Sequence, residues 1–588
     1  MSLLTVLLSI LFIQGCDDEN FKPAPTVSLD ASSGAAIPGG SVTINATVNS
    51  PNGGDLLLVY VAGAEVESYD MAGAADFEQE FSYNVPSNAV IGSTIIISFQ
   101  ATDAQNYPSA IANYTLTVGD PVVTLTGTLT TQTLEAGQPY LLKGQTFIPT
   151  GVTLTIPAGT VIKGDKASKA VLVVQPGGKL VANGTANSPV VFTSAQAVGE
   201  RDRGDWGGIV MLGDAWVNQT ALPAIEGITP SQNYGNITSP STNEAQNAGT
   251  LTYVRIEYAG IELTPNNETN SLTMGGVGSG TTIDHVQVSF GGDDGFEWFG
   301  GSVNAKYLVS HSTWDDDFDT DFGYGGNVQF ALAVRNPFFA DQSGSNAFES
   351  DNQANANDTP QGAAGYTRAV FSNVTVLGPR ETNSRTISAN YANSMHIRRR
   401  SALSIFNSFF SGYRLGLRVD DDATFANLSG GGSTLAYNVL SVTGTAGTGS
   451  SASASDGLFV TGIKFTAAND GTIDNTLASG GNAVPIANYW AANNNTSFNN
   501  VTATTVMADI GINPDLYWAS KNSGTYPSNP NFVLVPGVAG PNNLNTGANF
   551  GDAKLGSFFT DTTYKGAFDA TTDWTDGWTE FQPLNKAY

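Results

Sequence analysis

The sequence predicts an all-β protein: an N-terminal immunoglobulin-like sandwich followed by a right-handed parallel β-helix. Three observations predict it. Val, Ile, Thr, Phe and Tyr are plentiful, glycine occurs 66 times in 588 residues, and no long helical periodicity interrupts them. Between residues 26 and 118, alternating runs such as Ser41-Val42-Thr43-Ile44-Asn45-Ala46-Thr47-Val48 are separated by Gly, Pro, Asn and Asp. About seven short strands in a stretch of that length describe a sandwich. Beyond residue 125, Leu154-Thr155-Ile156-Pro157-Ala158-Gly159 returns eighteen residues later as Leu172-Val173-Val174-Gln175-Pro176-Gly177. Short strands recurring at that distance are stacked rungs, and a leucine-rich pattern with its asparagine is missing, which leaves a β-helix.

The chain opens with an apolar stretch, residues 3–13, then Gln14, Gly15, Cys16 and the acidic run Asp17-Asp18-Glu19. A membrane span needs about 20 apolar residues, so residues 1–15 are expected to be an export signal. Phe12-Ile13-Gln14-Gly15-Cys16 resembles a lipobox, and Cys16 is the only cysteine of the chain. The resemblance implies a lipid on Cys16 and anchoring in the outer membrane; the acids after it resemble an export tag of the Bacteroidota and imply a position facing the cell exterior. The leader contains no Lys or Arg, where signals are normally basic, which points to a start upstream of Met1. Residues 16–25, ending in Lys22-Pro23-Ala24-Pro25, read as a tether. The sandwich, 26–118, carries no chemistry and reads as a spacer.

With one cysteine, the fold has no internal disulfide. The net charge of −28, from 52 acids against 24 bases, argues against nucleic acid or anionic lipid as a partner and is compatible with divalent cations or neutral polymers.

The β-helix is expected over 125–588. Within it, Gly204-Asp205-Trp206-Gly207-Gly208-Ile209-Val210, the Gly291–Gly301 segment, Trp314-Asp315-Asp316-Asp317-Phe318-Asp319-Thr320-Asp321 and Asp341-Gln342-Ser343-Gly344-Ser345-Asn346 resemble a family of surface proteins of the Bacteroidota with a pectate-lyase-like solenoid. That resemblance implies a fold and a surface location, and no reaction.

Self-alignment of residues 284–422 gives a register. Phe296, Phe318, Phe348, Met395, Leu417 and Leu458 share one inward position; Trp298, Thr320, Ser350, Ile397 and Val419 share another two residues later. Between them Glu297, Asp319, Glu349, His396 and Arg418 point outward, followed by Phe299, Asp321, Asp351, Arg398 and Asp420. Rungs lie about 4.8 Å apart, and two unit charges near 5 Å repel by roughly 3 kcal/mol at an effective dielectric of 20, so the column needs an offset.

Three readings stay open. The column is a structural ion-pair ladder. Or it binds a divalent cation, Ca²⁺ by ligand chemistry, through Asp293, Asp294, Asp315, Asp316, Asp317, Asp319 and Asp321, since hard cations want six to eight oxygens. An EF-hand is excluded: counted from Asp315, position six is Thr320 and position twelve Gly326. Or it is catalytic, with Glu297, Asp319, Glu349, Asp351, Arg398 and Arg418 as candidates for polysaccharide cleavage, which needs a pair of carboxyls, or a base beside Ca²⁺. Trp298, Phe299, Trp314 and Tyr324 are candidate ligand contacts; aromatics among acids form a sugar platform or pack the rungs, and packing is favoured for Trp298 and Phe322. His285 and His311 read as ordinary strand residues. Residues 531–536 and 574–581 are expected to cap the solenoid. The function these readings favour is binding or adhesion to a glycan or another surface protein, with a polysaccharide lyase or hydrolase, or a purely structural surface protein, as alternatives.

Overall fold

The computed structural model describes residues 22–119, 121–238, 243–264, 267–353, 365–382, 385–420, 422–442, 459–461, 477–479, 482–484, 486–499, 509–518, 525–538, 540 and 542–588. The leader and Cys16 lie outside them. The chain divides into two compact units, Met1–Pro121 and Val122–Tyr588.

The first unit is an immunoglobulin-like sandwich. Thr26–Leu29, Ser41–Asn49 and Asp76–Asn84 form one antiparallel sheet. Ser33–Ala36, Ala112–Val118, Thr94–Asp103, Gly54–Val61 and Ala64–Asp70 form the other. Alternation does the folding. Ile44, Ala46 and Val48 face inward from one strand, against Leu57, Val59, Ile97 and Phe99 of the facing sheet, while their neighbours stay in water.

The second unit is a right-handed parallel β-helix with three strand faces. The first face stacks Thr153–Pro157 and Lys179–Asn183 and continues through the front halves of five long strands, Gly249–Glu257, Thr282–Ser289, Asn304–His311, Asn327–Val334 and Val370–Leu377. The second face is built from Val161–Gly164, Val190–Ser194 and the back halves of the same long strands. The third stacks Val171–Val174, Ile209–Leu212, Leu272–Gly275, Phe296–Phe299, Phe318–Asp321, Phe348–Ser350, Asn393–Ile397 and Leu415–Val419. The register expected for the third face is the one observed, except that Phe459, not Leu458, pairs with Leu417; Leu458 is outside the described residues. Inside, Phe296 stacks on Phe318 at a centroid separation of 5.8 Å and Phe348 meets Phe318 tilted at 5.1 Å, so the rings bury one another.

One residue per rung turns the corner between the first and second faces with a left-handed backbone: Tyr253, His285, Tyr307, Phe330, Asn373, Asn407 and Tyr437, at φ 51–61°. None is glycine, so each carries backbone strain. The aromatic members offset it by stacking: Tyr253 on His285 and His285 on Tyr307 at 4.3 Å, Tyr307 on Phe330 at 5.0 Å. His285 therefore belongs to an aromatic corner column, not to ordinary strand.

The expected terminal cap is corrected. The described residues of 509–588 run irregularly along the outside of the solenoid, back down its length. Lys554 reaches Thr434, Asn549 pairs with Asn407, Thr560 with Gln329, Glu580 with Gln287, and Tyr588 closes on Lys163. Trp574 and Trp578 meet the His285 ring edge-on at 6.3 and 5.5 Å. The physical reason is the second face itself. Val309, Leu332, Val334, Leu377, Phe409 and Val439 are apolar on its outer side and would face water without this strap. His311 is fully buried under Trp518, Tyr526 and Phe581, and burial lowers it to about 3, so it is neutral.

Asn373 holds the strap by donating from Nδ2 to Thr562 Oγ1, Tyr564 O and Gly566 O at 3.0–3.1 Å. Asn373→Ala is expected to weaken strap docking by about 2–4 kcal/mol, the sum of the lost hydrogen bonds and left-handed strain. Asn373→Gly should recover about 1–2 kcal/mol of that, because glycine accepts the backbone conformation. Native-state hydrogen exchange of residues 560–567 reads both; equal protection in the two variants would contradict the account.

Candidate functional site

The outward column of the third face runs Thr273, Glu297, Asp319, Glu349, His396, Arg418, in register. Connections between rungs rise on either side of it. They enclose a cleft of about 410 Å³ whose described lining includes Glu226, Glu268, Asp293, Asp294, Glu297, Asp315, Asp316, Asp319 and Glu349, with Arg398 as the cation at its end. Ile225, Tyr234, Phe299 and Phe322 form its apolar side, the two phenyl rings 5.4 Å apart.

At the turn that starts each rung, a second column places Asn270, Asp294, Asp316, Asn346 and Asn393 above one another, two residues before the inward Phe, Met and Leu positions. From Asp294 through Asn346, each side-chain oxygen accepts from the next backbone. Asp316 N–H donates to Asp294 Oδ1 at 2.8 Å, Asn346 N–H donates to Asp316 Oδ1, and Asn393 N–H donates to Asn346 Oδ1 at 3.0 Å. Asn346 and Asn393 occupy the same column as neutral amides. The charge on Asp294 and Asp316 is thus surplus to the backbone role.

The surplus charge is concentrated. Asp293, Asp294 and Asp315 bring carboxylate oxygens within 4.8 Å of one another, and so do Asp294, Glu297 and Asp319. Asp294 belongs to both triads. Among the described residues, the buried Asp315 Oδ1 and Asp319 Oδ1 have no hydrogen-bond partner. Burial, and then mutual repulsion, push Asp293, Asp294, Glu297, Asp316 and Asp319 well above the carboxylate range, and Asp315 to about 6. Orphaned buried oxygens, all hard donors, fit a divalent cation: Asp293, Asp294 and Asp315 would hold one, and Glu297 and Asp319, with Asp294 shared, would extend the site.

The far end of the column is neutralised. Arg398 bridges Glu349 and Asp351, with Nε 2.6 Å from Asp351, and Arg399 also pairs with Asp351. His396 lies between Asp420, at 2.8 Å, and Glu349, at 3.4 Å. Burial opposes ionisation here too, yet His396 and Arg398 outweigh it and hold Glu349 at about 2, as His396 and Arg418 hold Asp420 at about 2. The same contacts raise His396 above its ordinary value against its burial. Glu349, His396, Arg398, Arg399, Arg418 and Asp420 line a chamber of about 220 Å³ that shares Glu349 and Arg398 with the acidic cleft.

Several expectations are corrected. Trp298 and Tyr324 are fully buried in the core, stacked at 5.2 Å, and cannot meet a ligand. Trp314 donates to Asp341 and carries Arg203 over its ring at 3.5 Å, so its face is taken. Of the four candidate aromatics, Phe299 alone lines the cleft, joined by Phe322, which packs there and not in the core. Asp317 turns away from the acids into a fully buried pair with Arg335 at 3.1 Å, with Ser310 at 2.6 Å, and belongs neither to the cleft lining nor to the two triads. Asp321 caps Phe322 N–H at 2.7 Å outside the cleft lining. Arg418 pairs with Asp420 at 2.9 Å and offsets no member of the acidic triads. Asp351 is engaged by its two arginines. Glu226, Glu268, Asn270 and Tyr234 were not foreseen; Asn270 heads the turn column, and the other three arrive from excursions between rungs that have no period to read.

A family model described as the pectate-lyase like beta helix domain matches residues 127–504. Among solved structures, one of the fibronectin(III)-like modules of Clostridium thermocellum CbhA is 28% identical over 16% of this chain and 46% of its own, with a TM-score of 0.13. This chain thus spans less than half of that one. No curated protein matches.

The carboxyl shifts dictate a pH profile. A raised carboxyl contributes stability that is present below its ordinary value, 3.8 for Asp315, and is lost as pH rises through the raised value, about 6. Glu349 and Asp420 do the reverse: their contribution is present above 4.5 and 3.8 and is lost as pH falls towards 2. In EDTA the melting temperature is expected to peak near pH 4–5 and to fall towards pH 7. A scan that rises steadily from pH 4 to 7 would contradict this.

Proposed function

Because this chain belongs to the pectate-lyase-like β-helix domain family, and because its solenoid gathers carboxylates in a single cleft, we propose that it is a lipid-anchored surface protein that holds Ca²⁺ in that cleft and binds a glycan there. The observation that carries the reading is the pair of triads sharing Asp294, each bringing one carboxylate oxygen per residue within 4.8 Å of the others. At that spacing the acids repel by several kcal/mol, and a divalent cation is the compact charge that reverses the sign.

A bound cation supplies a Lewis-acidic point at which sugar hydroxyls coordinate. The protein does the rest. Asp294 and Asp316 are fixed by the backbone ladder, so the donors are pre-positioned. Phe299 and Phe322 offer an apolar wall beside them for a sugar ring. Arg398 neutralises Glu349 and Asp351 and marks where the acidic half ends. The only cysteine, Cys16, supports lipidation at the N-terminus, with the sandwich as spacer.

A second reading, glycan cleavage, is favoured by one observation. Glu349 is held at about 2 while Asp319, one rung away, is pushed up. A split pair at a rung spacing of about 4.8 Å approaches the roughly 5 Å of a retaining carboxyl pair.

Calorimetric titration with CaCl₂ at neutral pH is expected to show binding, with a melting temperature that rises with Ca²⁺ concentration. Asp294→Asn keeps the ladder acceptor and removes charge from both triads; it should weaken Ca²⁺ at least tenfold without loss of fold, by the worth of a charged ligand of about 1.5–3 kcal/mol. No heat and no thermal shift would remove the cation reading. Glycan arrays probed with Ca²⁺ and with EDTA should show signals only with Ca²⁺. Shortened products from a bound glycan, abolished by Glu349→Gln, would replace the binding role with the catalytic one.

A further inference from the structure

A separate cavity of about 250 Å³ lies between the corner that follows the second face and the C-terminal strap. Its walls are aromatic. Tyr258 and Phe290, stacked at 5.5 Å, come from successive rungs; Phe339 and Trp518 stand edge-on to Phe290 at 5.9 and 6.0 Å. Polar groups interrupt the rings: Asp202, Asn336 and Gln582 also line it.

Their hydrogen bonding is incomplete. Tyr258 is 2% exposed, and its hydroxyl is buried with no partner among the described residues. A protein hydroxyl is rarely left so, because an unmade buried hydrogen bond is costly. Asn336 uses Oδ1 on Phe338 N–H, leaving its amide N–H₂ to donate. Gln582 spends its amide on Tyr526 O, leaving its carbonyl to accept. Asp202 uses Oδ1 on Arg203 N–H and leaves its other oxygen. Arg201, also in the lining, is already committed to Pro583 O and Lys586 O at 2.8 and 2.9 Å. Two donors and two acceptors around ring-shaped apolar walls match a molecule with apolar faces and hydroxyls at its edge. The volume is below the roughly 300 Å³ at which drug-sized pockets begin, which suits a single ring.

We propose that this cavity is a second ligand site, taking one neutral pyranose ring of a glycan, with the ring on Phe290, Phe339 and Trp518 and its hydroxyls on Tyr258, Asn336, Asp202 and Gln582. It needs no cation and stands independently of the acidic cleft.

The test uses the full chain in EDTA, so that binding through Ca²⁺ is silent. Saturation-transfer NMR and tryptophan fluorescence are followed during titration with the methyl glycosides of glucose, galactose and mannose. At least one is expected to saturate. Tyr258→Phe removes only the hydroxyl; it should weaken that glycoside about fivefold or more with an unchanged or higher melting temperature. Phe339→Ala, at the cavity mouth, should weaken it as well. Asp294→Asn should leave it unchanged, which separates this outcome from failure of the cation reading. Absence of saturation by all three glycosides, or binding indifferent to both Tyr258→Phe and Phe339→Ala, overturns the proposal.

Discussion

In-register stacking of parallel rungs at one fixed spacing is the constraint on which this molecule depends. It multiplies whatever a rung position holds. Inside, it places Phe296, Phe318 and Phe348 ring against ring and turns three rings into one continuous apolar column. Outside, the same operation places Glu297, Asp319 and Glu349 in a row. Dispersion and burial reward the first arrangement; Coulomb repulsion penalises the second. The fold cannot relax one without shifting the other, since both are set by the same backbone ladder. An acidic column on a solenoid is therefore a standing cost, and its neutral or basic continuation, His396 and Arg418, shows that the ladder itself does not require acids.

The turn column makes the same point more sharply. Asn346 holds the next backbone with a neutral amide, and Asp294 and Asp316 hold it with a carboxylate. The geometry is shared, so the difference between Asp and Asn is not structural. It locates the two charges that serve something other than the fold, and both lie where the cleft is most acidic. The stability given up there is recoverable only by a ligand that prefers the charged form, which couples occupancy of the cleft to stability of the rungs.

How much of this could be read from residues follows from the same constraint. The 22-residue interval from Phe296 to Phe318 repeats from Met395 to Leu417, so the third face could be aligned on itself before any coordinates. Positions that repeat in register but not in chemistry could not. The corner column holds Tyr, His, Tyr, Phe, Asn, Asn and Tyr, and only backbone dihedrals reveal it. Asp317 was misplaced because alternation breaks at the turn: Asp315 and Asp316 reach the cleft, and the third acid of the run swings to Arg335, a partner eighteen residues on. Trp298 and Tyr324 were drawn outward by the company of acids, although the inward register already assigned Trp298 to the core. Glu226 and Glu268 come from connections between rungs, where insertion length is free and no period survives.

The strap decides which face can work. The outer side of the second face is apolar and is covered by residues of 509–588, so it is closed to large ligands except where the cover leaves the Tyr258–Trp518 cavity. The third face carries charge on its outer side and is bordered by excursions that wall it without sealing it. A solenoid that spends one face on its own C-terminal segment gains a rigid wall behind the other. Rigidity matters because the donor triads span two rungs: Asp293, Asp294 and Glu297 lie on one, Asp315 and Asp319 on the next. A shift of one rung against its neighbour would separate the oxygens of both triads together. By pinning Gln287 through Glu580 and Lys306 through Thr560 on successive strands, the strap resists that shift. Positioning of the acidic cleft thus depends on contacts made on the opposite wall of the same rungs.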